Sequence, residues 1–332
     1  MPPRRKRHHT VTRALLEGFA YGGQVLVRSR DGKEFNLATG SATVANDFYS
    51  FLNEGEHDDA VEDWLSKDVE HAFASLLPNL RAGVQPPKQE HRVIARFLAT
   101  ALLRTKTARS YMRQIDDHVA GSVLLQMVAP RLGLDLRSMS HTKIAELEQF
   151  CDEVWAELPS KPDIVLTDLR VMVHQSHRIE GVLNSYVWSV LQGPGPFFLI
   201  GDTPAVVVDG HQTGWRGLLP EGATIFLPIS PSKVLIGEPH SFGRPFAGDE
   251  LVATVNALTV RDAFRDVLRH PETVWPAELH LGPAPPSLPI PTRTYSRSPL
   301  SGQPTFPYTY PGVNDAKVAA LLEKLRMNHI VE

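Results

Sequence analysis

The chain has 332 residues, of which 42% are hydrophobic and 21% charged. That is enough apolar content to bury a large core and too little charge bias for global disorder. A formal net charge of -3 gives no whole-molecule attraction to nucleic acid or anionic lipid, so contact with nucleic acid would have to rest on the basic tip 1–7. The single cysteine, Cys151, excludes an intrachain disulfide and a zinc site built on several thiolates, and it fits a reducing, cytoplasmic setting.

The tip carries Arg4, Arg5, Lys6 and Arg7. Arg13 and Glu17 interrupt the apolar run that a secretory signal would need, and no stretch is apolar for long enough to cross a membrane. Asp31-Gly32 between the alternating runs 24–28 and 34–37 predicts a hairpin. Helix is expected next, over 58–77, with Val61, Leu65, Val69, Ala72 and Leu76 as its apolar stripe. Pro86-Pro87 breaks the chain. A second helix is expected over 88–113, with Val93, Ile94, Phe97, Ala101, Ala108 and Met112 on one face. More helix is expected at 117–129, 141–158 and 163–181.

The pattern then shortens. Segments 186–191, 197–200, 205–208, 224–227 and 233–236 are β-rich and separated by Gly and Pro, as in one mostly antiparallel sheet. Helix periodicity returns over 248–268. Helices and strands are segregated, so the expected class is α+β: a helix-rich layer on a mostly antiparallel sheet, in one domain over 8–275. Residues 276–312 are dense in proline and read as an extended linker. Residues 313–332 carry Val318, Leu321, Leu322 and Leu325 at helical spacing, a helix suited to docking on its own domain or on a protein partner.

No phosphate-binding loop, dinucleotide glycine fingerprint, nucleophile elbow or zinc-protease helix is present. The most informative residue is Arg104, which shares a helix face with Phe97, Ala101 and Ala108. A guanidinium turned toward the core needs a carboxylate or several carbonyls. It serves either as half of a structural ion pair or as an anion holder. Asp68 lies on the seam of the first helix and is its natural counter-charge. Glu62 borders that seam, and Glu70 points away from it in an ideal helix. Paired carboxylates there could also hold a divalent metal. His8 and His9 offer a ligand or an acid/base group. Asp202 lies just after a strand end in Gly201-Asp202-Thr203-Pro204, where it can serve a site or simply form the turn. Pro228 to Pro231 turns the chain between strands.

Taken in order, these pieces resemble the bacterial family of unknown function numbered DUF4238. The His-His opening is His8 and His9, followed by an apolar run ending in Phe19-Ala20. The acidic-Phe-Tyr mark is Asp47-Phe48-Tyr49, and the Arg-Thr mark is Arg104-Thr105. The Asp-x-Pro turn is Gly201 to Pro204, the Pro-x-Ser-Pro turn is Pro228 to Pro231, and the late helix carries Asn256. The chain departs from the family in having Thr12 and Lys106 where proline is usual. The resemblance spans about 8–271 and implies a shared fold and a shared site, but no reaction. The hypothesis is that His9, Glu70, Arg104 and Asp202 converge on one polar cleft between the helical layer and the sheet. Two functions fit it: a hydrolase directed at a phosphoester or nucleic acid, with or without a metal, and a non-catalytic binding module that recruits a partner through the last helix.

Overall fold

A computed structural model describes residues 7–53, 56–110, 125, 129, 133–136, 138–157, 163–195, 197–208, 219, 222–239 and 248–283. The tip 1–6, most of the expected helix 117–129, and the tail from 284 with its last helix lie outside these residues. The chain forms two compact units: Met1–Tyr111 with Leu169–Pro289, and Met112–Asp168 with Ile290–Glu332.

The first unit opens with β1 (Arg7–His9), α1 (Arg13–Leu16), β2 (Gln24–Ser29), β3 (Glu34–Ala38) and β4 (Val44–Asn46). Gly32 turns the β2–β3 hairpin at φ +82°, a conformation that glycine adopts without steric cost. β1 pairs with β4, setting His8 opposite Ala45 and His9 opposite Val44. The short pair β5 (Phe51–Asn53) and β6 (Glu56–Asp58) comes after them.

Next comes a single run of helix in three parts: α2 (Ala60–Trp64), a π-turn over Leu65–Glu70 and α3 (His71–Arg81). A π-turn adds a residue to the helical turn and shifts the phase of every later position on the helix. The expected stripe therefore moves by one beyond Val69, and Leu65, Val69, Phe73, Leu77 and Leu80 are the buried positions. α4 (His91–Leu103) lies against this run, with the rings of Phe73 and Phe97 stacked 3.8 Å apart.

The expected helix 88–113 is not continuous. α4 stops at Leu103, and helix resumes only at 106–110. The cause is local: Thr105 Oγ1 accepts the Ala108 amide at 3.0 Å, an N-cap that starts a new helical segment. Lys106 stands at the first position of that segment, where proline would be tolerated because its missing N–H has no helical partner to lose.

The second unit contains α5 (His141–Glu157) and the start of α6 (Asp163–Leu183). Leu147 and Cys151 are buried, and burial pushes the Cys151 thiol up to about 12, as for an inert packing residue.

Back in the first unit come β7 (Val187–Gln192), β8 (Ile200–Gly201), β9 (Val206–Val208), β10 (Thr224–Ser230), β11 (Lys233–Glu238), α7 (Gly248–Asp262) and β12 (Asp266–Arg269). These strands do not form the single sheet expected. One antiparallel sheet has the order β7-β11-β10-β9 and another the order β3-β2-β12-β8. Residues 266–269, expected as the end of a helix, are instead the strand joining β2 to β8. The α+β reading itself holds: among the described residues there are seven helices and only antiparallel pairings.

Polar side chains close several backbone gaps. The Gln85 amide pairs with both the N–H and C=O of Val190 on edge strand β7, at 2.8 and 2.9 Å. The Arg81 guanidinium donates to the Ile229 carbonyl at 2.8 Å and the Ala14 carbonyl at 2.8 Å, joining the end of α3 to α1 and β10. The opening of the proline-rich stretch is held in place rather than extended free. Leu279 and Leu281 pack on a core cluster of Leu199, Val260, Ala263 and Val267, and the Trp275 indole donates to the Leu279 carbonyl at 2.7 Å.

Candidate functional site

The site is assembled from β1, the segment before β5, the π-turn and the end of α4. Arg104 terminates α4 with φ -83° and ψ 6°, where the partial negative charge of a helix C-terminus favours a cation. Its side chain has no solvent-exposed surface, as the face shared with Phe97 and Ala101 predicts. Its Nη1 donates to Glu70 Oε1. The counter-charge is thus Glu70, and the expectation for Asp68 is corrected: Asp68 is exposed. An unbroken α-helix would direct Glu70 away from the seam. The inserted residue of the π-turn brings Glu70 onto the face of Phe73 and Leu77, next to α4. Burial works against the guanidinium charge, but the Glu70 carboxylate overcomes it and holds the Arg104 pKa above its ordinary value.

The Nε and Nη2 of Arg104 are buried and have no hydrogen-bond partner among the described residues. The Phe97 ring lies 5.7 Å from its Cζ and supplies no acceptor lone pair.

Tyr49 links the elements. It is fully buried. Its hydroxyl donates to the Arg104 carbonyl at 3.1 Å, its amide donates to His8 Nδ1 at 2.8 Å, and its ring stacks on His8 with centroids 5.5 Å apart. Asp47 reaches φ +50°, a left-handed conformation that Asp and Asn tolerate better than other side chains. That physical preference fits the acidic position of the Asp-Phe-Tyr mark. Phe48 lies under the Arg109 guanidinium at 3.7 Å, and its carbonyl accepts from Arg109 at 2.7 Å.

The two histidines adopt opposite roles. His8 Nδ1 accepts a hydrogen bond from the Tyr49 amide, so its own ring proton sits on Nε2. His9 Nδ1 lies 3.1 Å from the Ala42 carbonyl, an acceptor only, so Nδ1 carries the proton and Nε2 keeps the lone pair of the neutral ring. Burial lowers the His9 pKa below 6.5, and the charges of Glu70 and Arg104 both reach the ring. Glu70 and Arg104 are in direct contact, and both act electrostatically on His9.

Asp202 has a different employment. Its two oxygens accept the amides of Phe264, Arg265 and Asp266 at 2.7, 2.9 and 3.2 Å, locking the turn between α7 and β12. Burial pushes its pKa up to about 6 in spite of those donors. Its neighbour Thr203 meets Thr107, three residues beyond Arg104, with hydroxyls 3.1 Å apart. Asn256 holds the strand before this turn by accepting the Leu199 amide and donating to the Phe197 carbonyl, both at 2.9 Å.

Tyr49, Thr107 and Thr203 are not singled out as site residues by the sequence. Their only signal there is a place in or beside the family-like marks. Among the described residues, no three His, Cys, Asp or Glu side chains form a group suited to a metal ion, and no helix is long and apolar enough to cross a membrane.

No curated protein and no solved structure matches the chain. A family model does, over residues 7–273, which include every residue of this site. The chain belongs to DUF4238, a family described as protein of unknown function.

Proposed function

We propose that the chain is a hydrolase acting on a phosphoester, with His9 as general base and Arg104 as the cation facing the phosphoryl oxygens. The observation that carries this reading is a part-buried imidazole, its Nε2 lone pair set by the Ala42 carbonyl, that feels the charge of a fully buried guanidinium. Water attacks phosphorus while His9 Nε2 takes its proton. The bond from phosphorus to the leaving oxygen breaks, and His9 returns the proton to that oxygen. Arg104 stabilises the charge on the remaining oxygens in a place where water cannot screen it. Glu70 holds the guanidinium, and Asp202 positions the turn whose neighbour Thr203 touches Thr107.

The test is turnover of bis(4-nitrophenyl) phosphate by the full chain and by His9→Asn. Asparagine can still donate to the Ala42 carbonyl but has no Nε2. The variant should fold normally and lose a factor of about 10² to 10⁴ in rate. In the wild type, activity should fall on acidification with a midpoint below 6.5, because burial keeps His9 neutral to lower pH. An undiminished rate in His9→Asn, or no turnover by the wild type, defeats the proposal.

One observation favours a second reading, a binding module without turnover. The Glu70–Arg104 pair ties the π-turn to α4 with no side-chain surface of Arg104 left exposed, as a purely structural link would. Inactivity of the wild type on phosphodiesters and phosphomonoesters together would favour this reading.

A further inference from the structure

We infer that Arg104 is the recognition element for a singly charged, two-oxygen anionic group, of the class a phosphodiester supplies, which it grips through the edge formed by Nε and Nη2. This rests on the functional reading above and specifies its substrate. Glu70 uses Nη1 only. The two atoms without a protein partner, Nε and Nη2, are not a random remainder. Their N–H bonds run parallel along one edge of the planar guanidinium, at the spacing of two oxygens on one carbon or phosphorus. A buried cation with two donors unmatched costs several kcal/mol to order of magnitude, a cost that a bidentate oxyanion removes.

The charge balance narrows the class. Glu70 already neutralises Arg104, and Glu62 is a further negative charge acting on the same guanidinium. Repulsion from this surplus is twice as large for a dianion as for a monoanion, so the fork favours the smaller charge. An anion would have to enter past Glu70, whose side chain keeps 24% of its surface exposed.

The experiment is thermal melting and calorimetric titration of the full chain with diethyl phosphate, acetate and inorganic phosphate, at constant ionic strength and mildly alkaline pH. Diethyl phosphate should raise the melting temperature and bind most tightly of the three. Arg104→Lys, which keeps the charge but not the fork, should bind it at least about tenfold more weakly. Glu70→Gln, which removes the balancing charge, should shift preference toward inorganic phosphate by at least about tenfold. Tighter binding of inorganic phosphate than of diethyl phosphate by the wild type overturns the inference, as does no response to any anion. Tighter binding of acetate overturns the assignment to a phosphodiester. The wild-type order decides the matter even if the lysine variant fails to fold. Binding of diethyl phosphate without turnover of its nitrophenyl analogue defeats hydrolysis and leaves the fork standing. Turnover that diethyl phosphate does not inhibit defeats the fork and leaves hydrolysis standing.

Discussion

Asp202 and Arg104 are both charged side chains withdrawn from water in the same unit, and their surroundings treat them in opposite ways. Asp202 is met by three backbone amides converging on two oxygens. Arg104 is met by one carboxylate on one nitrogen, and its other two nitrogens have no acceptor among the described residues. The first arrangement is complete and uses main-chain donors that a folded turn places automatically. It belongs to the architecture. The second is incomplete on one side only, and that side is a matched pair of donors. A buried ion pair that serves solely as a tie between helices is often no more stabilising than a hydrophobic pair of similar volume. The pattern of satisfaction, more than burial itself, separates a structural charge from a candidate for recognition.

The largest effect should come from the complete site. Asp202→Ala leaves the amides of 264–266 without their acceptor in a buried turn. The expected loss is about 4 kcal/mol of stability by urea or thermal melting. A loss below about 1 kcal/mol would mean that the turn does not depend on the carboxylate, and the contrast with Arg104 would disappear.

The next effect is a pH dependence with a definite sign. Burial holds the folded Asp202 at about 6 against an ordinary 3.8, so between those values the folded chain keeps a proton that the unfolded chain gives up. The contribution to stability is complete below 3.8 and is lost as pH rises through about 6, a change of about 3 kcal/mol. Measured as the difference between wild type and Asp202→Asn, it is free of the opposite slopes of other carboxylates. A difference that grows with rising pH would show that the three amides outweigh desolvation.

The same contrast explains what could be read in advance. Arg104 was legible because 97, 101, 104 and 108 fall on one helical face, and that face is buried whether or not the helix breaks at Thr105. Glu70 was not legible as its partner, since a π-turn has no sequence signature here and an ideal helix selects Asp68. Class was legible from the segregation of helical and strand-like segments. Partition into two sheets was not, because 197–199 is held by the Asn256 side chain instead of a neighbouring strand, and 266–269 begins only a few residues after α7 ends. The histidine tautomers depend on the Ala42 carbonyl and the Tyr49 amide, which no local pattern reveals. Asp202 stood out equally as a turn former and as a site residue, and its three amide partners account for the first role.

The smallest effect probes the join between the two kinds of site. Tyr49→Phe removes one hydroxyl, which donates to the carbonyl of Arg104 at 3.1 Å. That carbonyl sits where α4 ends and has lost its continuing helix to the Thr105 cap, so deleting the donor leaves it short of a partner in a buried position. The expected cost is about 1 kcal/mol. The Tyr49 amide bond to His8 is made by the backbone and survives, so the β1 histidines keep their places. The guanidinium is anchored by Glu70 rather than by Tyr49, so diethyl phosphate binding should weaken by less than about threefold, well under 1 kcal/mol. A much larger loss of binding with little loss of stability would mean that the hydroxyl itself acts on the anion, and that the recognition group extends beyond the Arg104 fork to Tyr49.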